Sequence, residues 1–211
     1  MSEPALSSRV ILLHGLFMRR PVLLTLARRL REEGFETELF GYSAQRHGPD
    51  GVLKRLRERM QALGAGTHLV GHSLGGVMAL ECLKRDPSLR GGRVVCLGSP
   101  IAGSAASRGL ARARFGFTLG RSRELLHGGV GELPPDVEVG MIAGSHAFGI
   151  GRVFSPLGES HDGTVGIAET RLPGLADHLV IPVNHTALLW SSGTAAAAAQ
   201  FLREGCFPHR G

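Results

Sequence analysis

Residues 69 to 80 read LVGHSLGGVMAL, an apolar run that halts at Gly71, presents Ser73 and resumes in a helical pattern. Gly71-His72-Ser73-Leu74-Gly75 matches Gly-x-Ser-x-Gly, a strand-turn-helix corner whose strained backbone lifts a serine hydroxyl clear of both elements. The glycines two places before and two places after the serine let strand and helix pack closely. The first N–H groups of a helix starting at Leu74 have no intrahelical partner, so the Leu74 N–H can face an oxyanion, with the helix dipole in the same sense. A glycine-rich turn without chemistry shares the five residues; the strand before and the helix after favour a nucleophile.

A serine hydroxyl is a weak nucleophile at neutral pH and needs a base, with a carboxylate to orient that base. Of ten histidines, His185 in PVNHTALLW follows the last predicted strand and shares the sheet's carboxyl edge with Ser73. His14, His72, His161 and His178 suit the role less well. In HDGTVGI, 161 to 167, Asp162 follows the penultimate predicted strand and precedes Gly163, in a turn that can aim a carboxylate along the sheet edge. An aspartate that merely caps its own turn also presents as Asp-Gly. Asp177 and Asp136 precede strands, which puts them at the opposite edge. A second oxyanion donor belongs in the loop after the first strand, HGLF, where His14 and Gly15 let the chain turn so that the N–H of Leu16, or alternatively Phe17, points at the substrate oxygen. His14 is read as holding that loop.

Strands must carry these groups to one edge. RVILLHG (9 to 15), ETELFGY (36 to 42), THLVGH (67 to 72), RVVCLGSP (93 to 100), VEVGMIAG (137 to 144) and HLVIPV (178 to 183) are short apolar runs. Helical patterns lie between them at 21 to 34, 50 to 64 and 74 to 86, and a last one follows at 185 to 205. Alternating strands and helices with nearly continuous apolar strands predict an α/β chain: a doubly wound, mostly parallel sheet of about six strands with helices on both faces. Residues 1 to 211 read as one domain. Residues 101 to 136 break the rhythm with two weak helical patterns, and an insertion at the carboxyl end of a strand is a candidate cap over a ligand site.

Composition narrows the classes. Hydrophobic residues make up 43% of the chain and charged ones 20%, and no apolar run approaches the eighteen or so residues of a membrane span. The N-terminus carries Glu3 and Pro4 and no basic region, which predicts a cytoplasmic protein. Three cysteines, Cys82, Cys96 and Cys206, lack metal-ligand spacing and read as buried small apolar residues. The charge of +6 is almost wholly arginine, spread along helices as RRLREE and KRLRERM, with one Trp and one Tyr for stacking, so no nucleic-acid partner is expected. Ser107 to Arg123 stands apart: five arginines without an acid, interleaved with Leu110, Phe115, Phe117 and Leu119. It reads as a solvated cap over a pocket, with peripheral contact to an anionic membrane as the other reading.

HGLF, GHSLGG, GSPIAGS, DGTV and NHT, in this order, resemble the bacterial lipase-like and esterase-like α/β hydrolases across almost the whole chain. The resemblance implies an α/β-hydrolase fold, Ser73 as nucleophile, Asp162 as acid, His185 as base, and Leu16 and Leu74 as backbone oxyanion donors. The chain order of nucleophile, acid and base is the one that fold uses. It implies a serine hydrolase that cleaves acyl esters through an acyl-enzyme, acting on a small-molecule or lipid-like ester, with no cofactor and no metal. Thioester hydrolysis, phospholipase action and acyl transfer share the machinery, and a non-catalytic binding module shares the fold. Phe17, Leu110, Phe115 and Phe117 are the candidate substrate contacts.

Overall fold

The computed structural model describes residues 8–89, 91–104, 123–146 and 160–209. The strands are β1 (Arg9–Leu13), β2 (Glu36–Phe40), β3 (His68–His72), β4 (Val94–Leu97), β5 (Val139–Gly144) and β6 (Asp177–Ile181). They form one parallel sheet in the order β2-β1-β3-β4-β5-β6. The helices are α1 (Leu24–Glu32), α2 (Ala44–Leu63), α3 (Leu74–Arg85), α4 (Arg123–Gly128) and α5 (Ser192–Glu204).

Burial follows strand position. All of β3, β4 and β5 is buried, because helices cover both faces. The edge strand β2 keeps Glu36 to Leu39 partly or fully exposed and buries only Phe40. Alternation along β1 divides the core: Ile11 and Leu13 join α2 and α3 through Leu56, Met60 and Val77, whereas Val10 and Leu12 join α1 and α5 through Leu26, Leu30 and Phe201. Parallel pairing sets Leu13 level with Gly71, His72 level with Leu97, and Leu97 level with Ile142. The turns after β1, β3 and β4 therefore open at one edge.

The structure departs from the sequence reading at several places. Helix α2 starts at Ala44, ahead of residue 50, with a break at Gly48 (φ 67°) before Pro49. The last helix starts at Ser192 and not at 185. The His185 N–H donates to the Asp162 carbonyl at 3.0 Å and the Ala187 N–H to Asn184 Oδ1 at 2.9 Å, so a turn closes there. Ser191 then caps α5 by accepting from the Thr194 N–H, and Gly205 ends it in the left-handed region. Cys82 and Cys96 are buried, but Cys206 is exposed. Of the expected cap, Leu110, Phe115, Phe117 and Leu119 lie outside the described residues, as does the basic stretch 107 to 123 apart from Arg123 at the start of α4. Among the described residues no helix is long and apolar enough to cross a membrane.

The β3-to-α3 corner depends on bare backbone. A Cβ on Gly71 would sit 2.3 Å from the Gly76 nitrogen, and one on Gly75 would sit 2.5 Å from the Leu13 carbonyl oxygen. Neither neighbour is a side chain that can rotate away. Gly71→Ala and Gly75→Ala are each expected to cost about 3 kcal/mol, read as a lower urea midpoint at unchanged slope. A Cβ on Gly128 meets nothing within 4 Å, so Gly128→Ala should leave the midpoint close to wild type.

Candidate active site

Ser73 sits between β3 and α3 with φ 53° and ψ −120°, in the left-handed half of backbone space that L side chains avoid. Its N–H donates to the Leu97 carbonyl at 2.9 Å and its carbonyl accepts from Gly76 at 3.1 Å, so both sides of the corner are pinned. The side chain makes no capping bond to its own helix. Gly15 in the loop after β1 runs beside it: a Cβ there would lie 3.2 Å from Ser73 Cβ. Among the described residues no hydrogen bond engages the N–H of Leu16 or of Leu74, although Leu74 is fully buried. Phe17 is 61% exposed, with φ 60°.

Asp162 is 1% exposed, and each carboxylate oxygen has its own task. Oδ1 accepts from the N–H groups of Thr164 (2.9 Å) and Val165 (2.7 Å), closing the Asp-Gly-Thr-Val turn. Oδ2 lies 2.6 Å from His185 Nδ1. One oxygen thus closes the turn and the other is left to the imidazole of His185. The backbone repeats the link through the His185 N–H and the Asp162 carbonyl. From the end of β4, Gly98 closes against the pair, since a Cβ there would meet Asp162 Oδ2 and His185 Nδ1 at 3.1 Å each.

The rival groups are occupied elsewhere. His178 bonds the Thr170 hydroxyl at 2.9 Å, and His161 Nδ1 accepts from the Gly163 N–H at 3.1 Å. His14 Nδ1 donates to the Gly15 carbonyl at 2.8 Å, and its ring stacks on Tyr42 at 4.3 Å, while the Tyr42 hydroxyl donates to the His14 carbonyl. Asp177 accepts from the Phe207 N–H at 2.7 Å, at the start of β6.

One contributor escaped the sequence reading. His72, immediately before Ser73, is 1% exposed, and its Nε2–H donates to the His185 carbonyl at 2.9 Å. The acceptor requires the proton on Nε2, which leaves Nδ1 a lone pair without a partner among the described residues. Burial, with the neighbouring His185 and His14 acting in the same sense, pushes the His72 pKa down to about 3, so the ring stays neutral. His72 thus ties the strand bearing Ser73 to the loop bearing His185. His72→Phe keeps an aromatic ring, somewhat larger than imidazole, but orphans a carbonyl, and is expected to lower kcat/KM by about 10- to 100-fold through displacement of His185. Acid stability supplies a second readout. Between pH 6.5 and about 3 the unfolded chain binds a proton that the folded ring refuses, so the urea midpoint falls as pH falls through that window. It should fall less steeply in the variant.

Residues 10–206 match the family model described as "Alpha/beta hydrolase family". None of the curated proteins compared matches the chain. Among solved structures, a Bacillus licheniformis lipase, BlEst2 in mature form, is similar at 19% identity and TM-score 0.75, over 96% of this chain and 93% of that one. A metagenomic carboxyl esterase, MGS0156, is similar at 20% identity and TM-score 0.67, over 97% and 77%. A Paleococcus ferrophilus monoacylglycerol lipase is similar at 17% identity and TM-score 0.60, over 95% and 97%.

Proposed function

Because the chain belongs to the alpha/beta hydrolase family, we propose that it is a serine hydrolase cleaving acyl esters, with Ser73, His185 and Asp162 as its triad. The observation that carries the proposal is the buried Asp162–His185 bond of 2.6 Å, joined through His72 to the corner that presents Ser73. A carboxylate with one oxygen fixed by two backbone donors and the other on an imidazole is arranged to hold one tautomer. The lipases and the esterase among the similar structures support the ester reading.

In the proposed cycle His185 Nε2 removes the Ser73 hydroxyl proton as Oγ attacks the ester carbonyl. The N–H groups of Leu16 and Leu74 receive the oxyanion. Collapse of the tetrahedral species breaks the ester C–O bond, and His185 hands its proton to the departing alkoxide. Water, deprotonated by the same nitrogen, then attacks the acyl-enzyme and releases the acid and the free serine. Asp162 orients the imidazole and stabilises the imidazolium that forms.

Hydrolysis of para-nitrophenyl esters of increasing acyl length tests the reading. Turnover with an optimum chain length is expected, because a pocket of finite depth binds each added methylene only until it is filled. No turnover of any ester by folded protein would contradict it.

A further inference from the structure

Beside the proposed nucleophile lies a cleft of about 630 Å³ that extends away from the proposed oxyanion donor Leu16, which lines it. Its walls are the loop after β1, from His14 through Pro21, and the end of β2 with the following turn, from Gly41 through Ser43. Gly15 joins it to the reaction centre, since the Cβ position of that residue is 3.2 Å from Ser73 Cβ. Phe17, Met18 and Pro21 give it an apolar side, and Arg19 and Arg20 give it charge. Among the described residues no aspartate or glutamate lines it. His14, whose pKa burial lowers, adds no charge at neutral pH.

Arg19 and Arg20 differ from several arginines nearby. Arg59 is bound by Glu38 at 2.6 Å, Arg203 by Glu33 at 2.8 Å, and Arg55 lies over the Phe40 ring and donates to the Gly41 carbonyl. The guanidinium groups of Arg19 and Arg20 belong to exposed residues and have no ion pair or hydrogen bond with any described residue; the Arg19 carbonyl accepts from the Val22 N–H. Arg20 also borders the neighbouring cleft that holds Glu38 and Glu58, but two guanidinium groups on one loop, in a cleft that no described aspartate or glutamate lines, suit a carboxylate or phosphate, which a guanidinium binds through paired N–H donors.

We propose that this cleft is an anion subsite: the ester substrate carries a carboxylate or phosphate on its acyl or alcohol part, and Arg19 and Arg20 receive it while Phe17 covers the apolar stretch between. The link to turnover rests on the serine-hydrolase reading above.

Two matched pairs of soluble esters test it. Mono-para-nitrophenyl glutarate is compared with para-nitrophenyl valerate for the acyl side, and para-acetoxybenzoate with para-acetoxybenzamide for the alcohol side. In at least one pair the anion is expected to have the higher kcat/KM by about tenfold, the sum of two partly exposed ion pairs. The ratio should shrink with added salt and approach one in the Arg19→Gln/Arg20→Gln variant. All four esters are dispersed monomers, so attraction to a charged lipid surface cannot produce the difference. A ratio near one in both pairs, or a ratio that survives the double substitution, overturns the subsite. If neither neutral nor anionic ester is cleaved, the hydrolase reading has failed by itself, and a thermal shift with hexyl phosphate against hexanol then decides the subsite. A rise in Tm with the phosphate alone, lost in the double variant, sustains it; no such rise ends it.

Discussion

Ser73→Ala is expected to lower ester turnover by about 10⁴-fold or more while leaving the urea midpoint near wild type. The two halves of that expectation have separate causes. Without Oγ no acyl-enzyme forms, and what remains is the contribution of oxyanion donors and binding to attack by water. Stability changes little because the Ser73 hydroxyl caps nothing, and the bonds that pin the corner are backbone bonds to Leu97 and Gly76. Alanine accepts the same positive φ at about the same cost as serine. A variant that folds normally and still turns over at a rate near wild type would remove Ser73 from the chemistry.

Asp162→Asn should be nearly as damaging, with kcat lower by about 10⁴-fold, for a reason that differs in kind. The amide oxygen can replace Oδ1 and keep the bonds from Thr164 and Val165, so the turn survives. The NH₂ group then faces His185 Nδ1, which becomes an acceptor and moves the imidazole proton to Nε2. The base is left in the tautomer that cannot take the serine proton. Asp162→Ala loses the turn bonds as well, so it should lose stability along with rate, and comparing the two variants separates orientation of the histidine from support of the loop. A drop of less than about tenfold in the asparagine variant, measured as kcat on the preferred para-nitrophenyl ester, would mean that Asp162 only holds its turn.

Much of this arrangement was legible in the chain because it is local. Apolar runs such as RVILL and RVVCL declare buried parallel strands, and the order of elements then dictates which turns share an edge. The glycines around Ser73 show the close approach of strand and helix, since few other reasons put so many in one corner. Asp-Gly at 162 and 163 announces a turn, and the structure adds that one carboxylate oxygen is left over for a histidine.

Features that depend on distant partners were not legible. His72 bonds a carbonyl 113 residues away, and nothing in GHSLGG marks that acceptor. The start of the last helix is not separable in sequence because Ala187, Leu188 and Leu189 continue its apolar pattern; they form a short 3-10 turn, and Ser191, in extended backbone (φ −69°, ψ 130°), breaks it from the helix that begins at Ser192. Arg19 and Arg20 were not separated from the other arginines, because in sequence all arginines carry the same charge and only the fold shows which have found an acid.

Reaction with a fluorophosphonate, followed by intact mass and peptide mapping, tests whether Ser73 is an activated nucleophile without requiring the natural substrate. One adduct per chain is expected, located on Ser73, absent in Ser73→Ala and formed much more slowly in Asp162→Asn. Folded protein that takes up no probe, or takes it up at another residue, would contradict it.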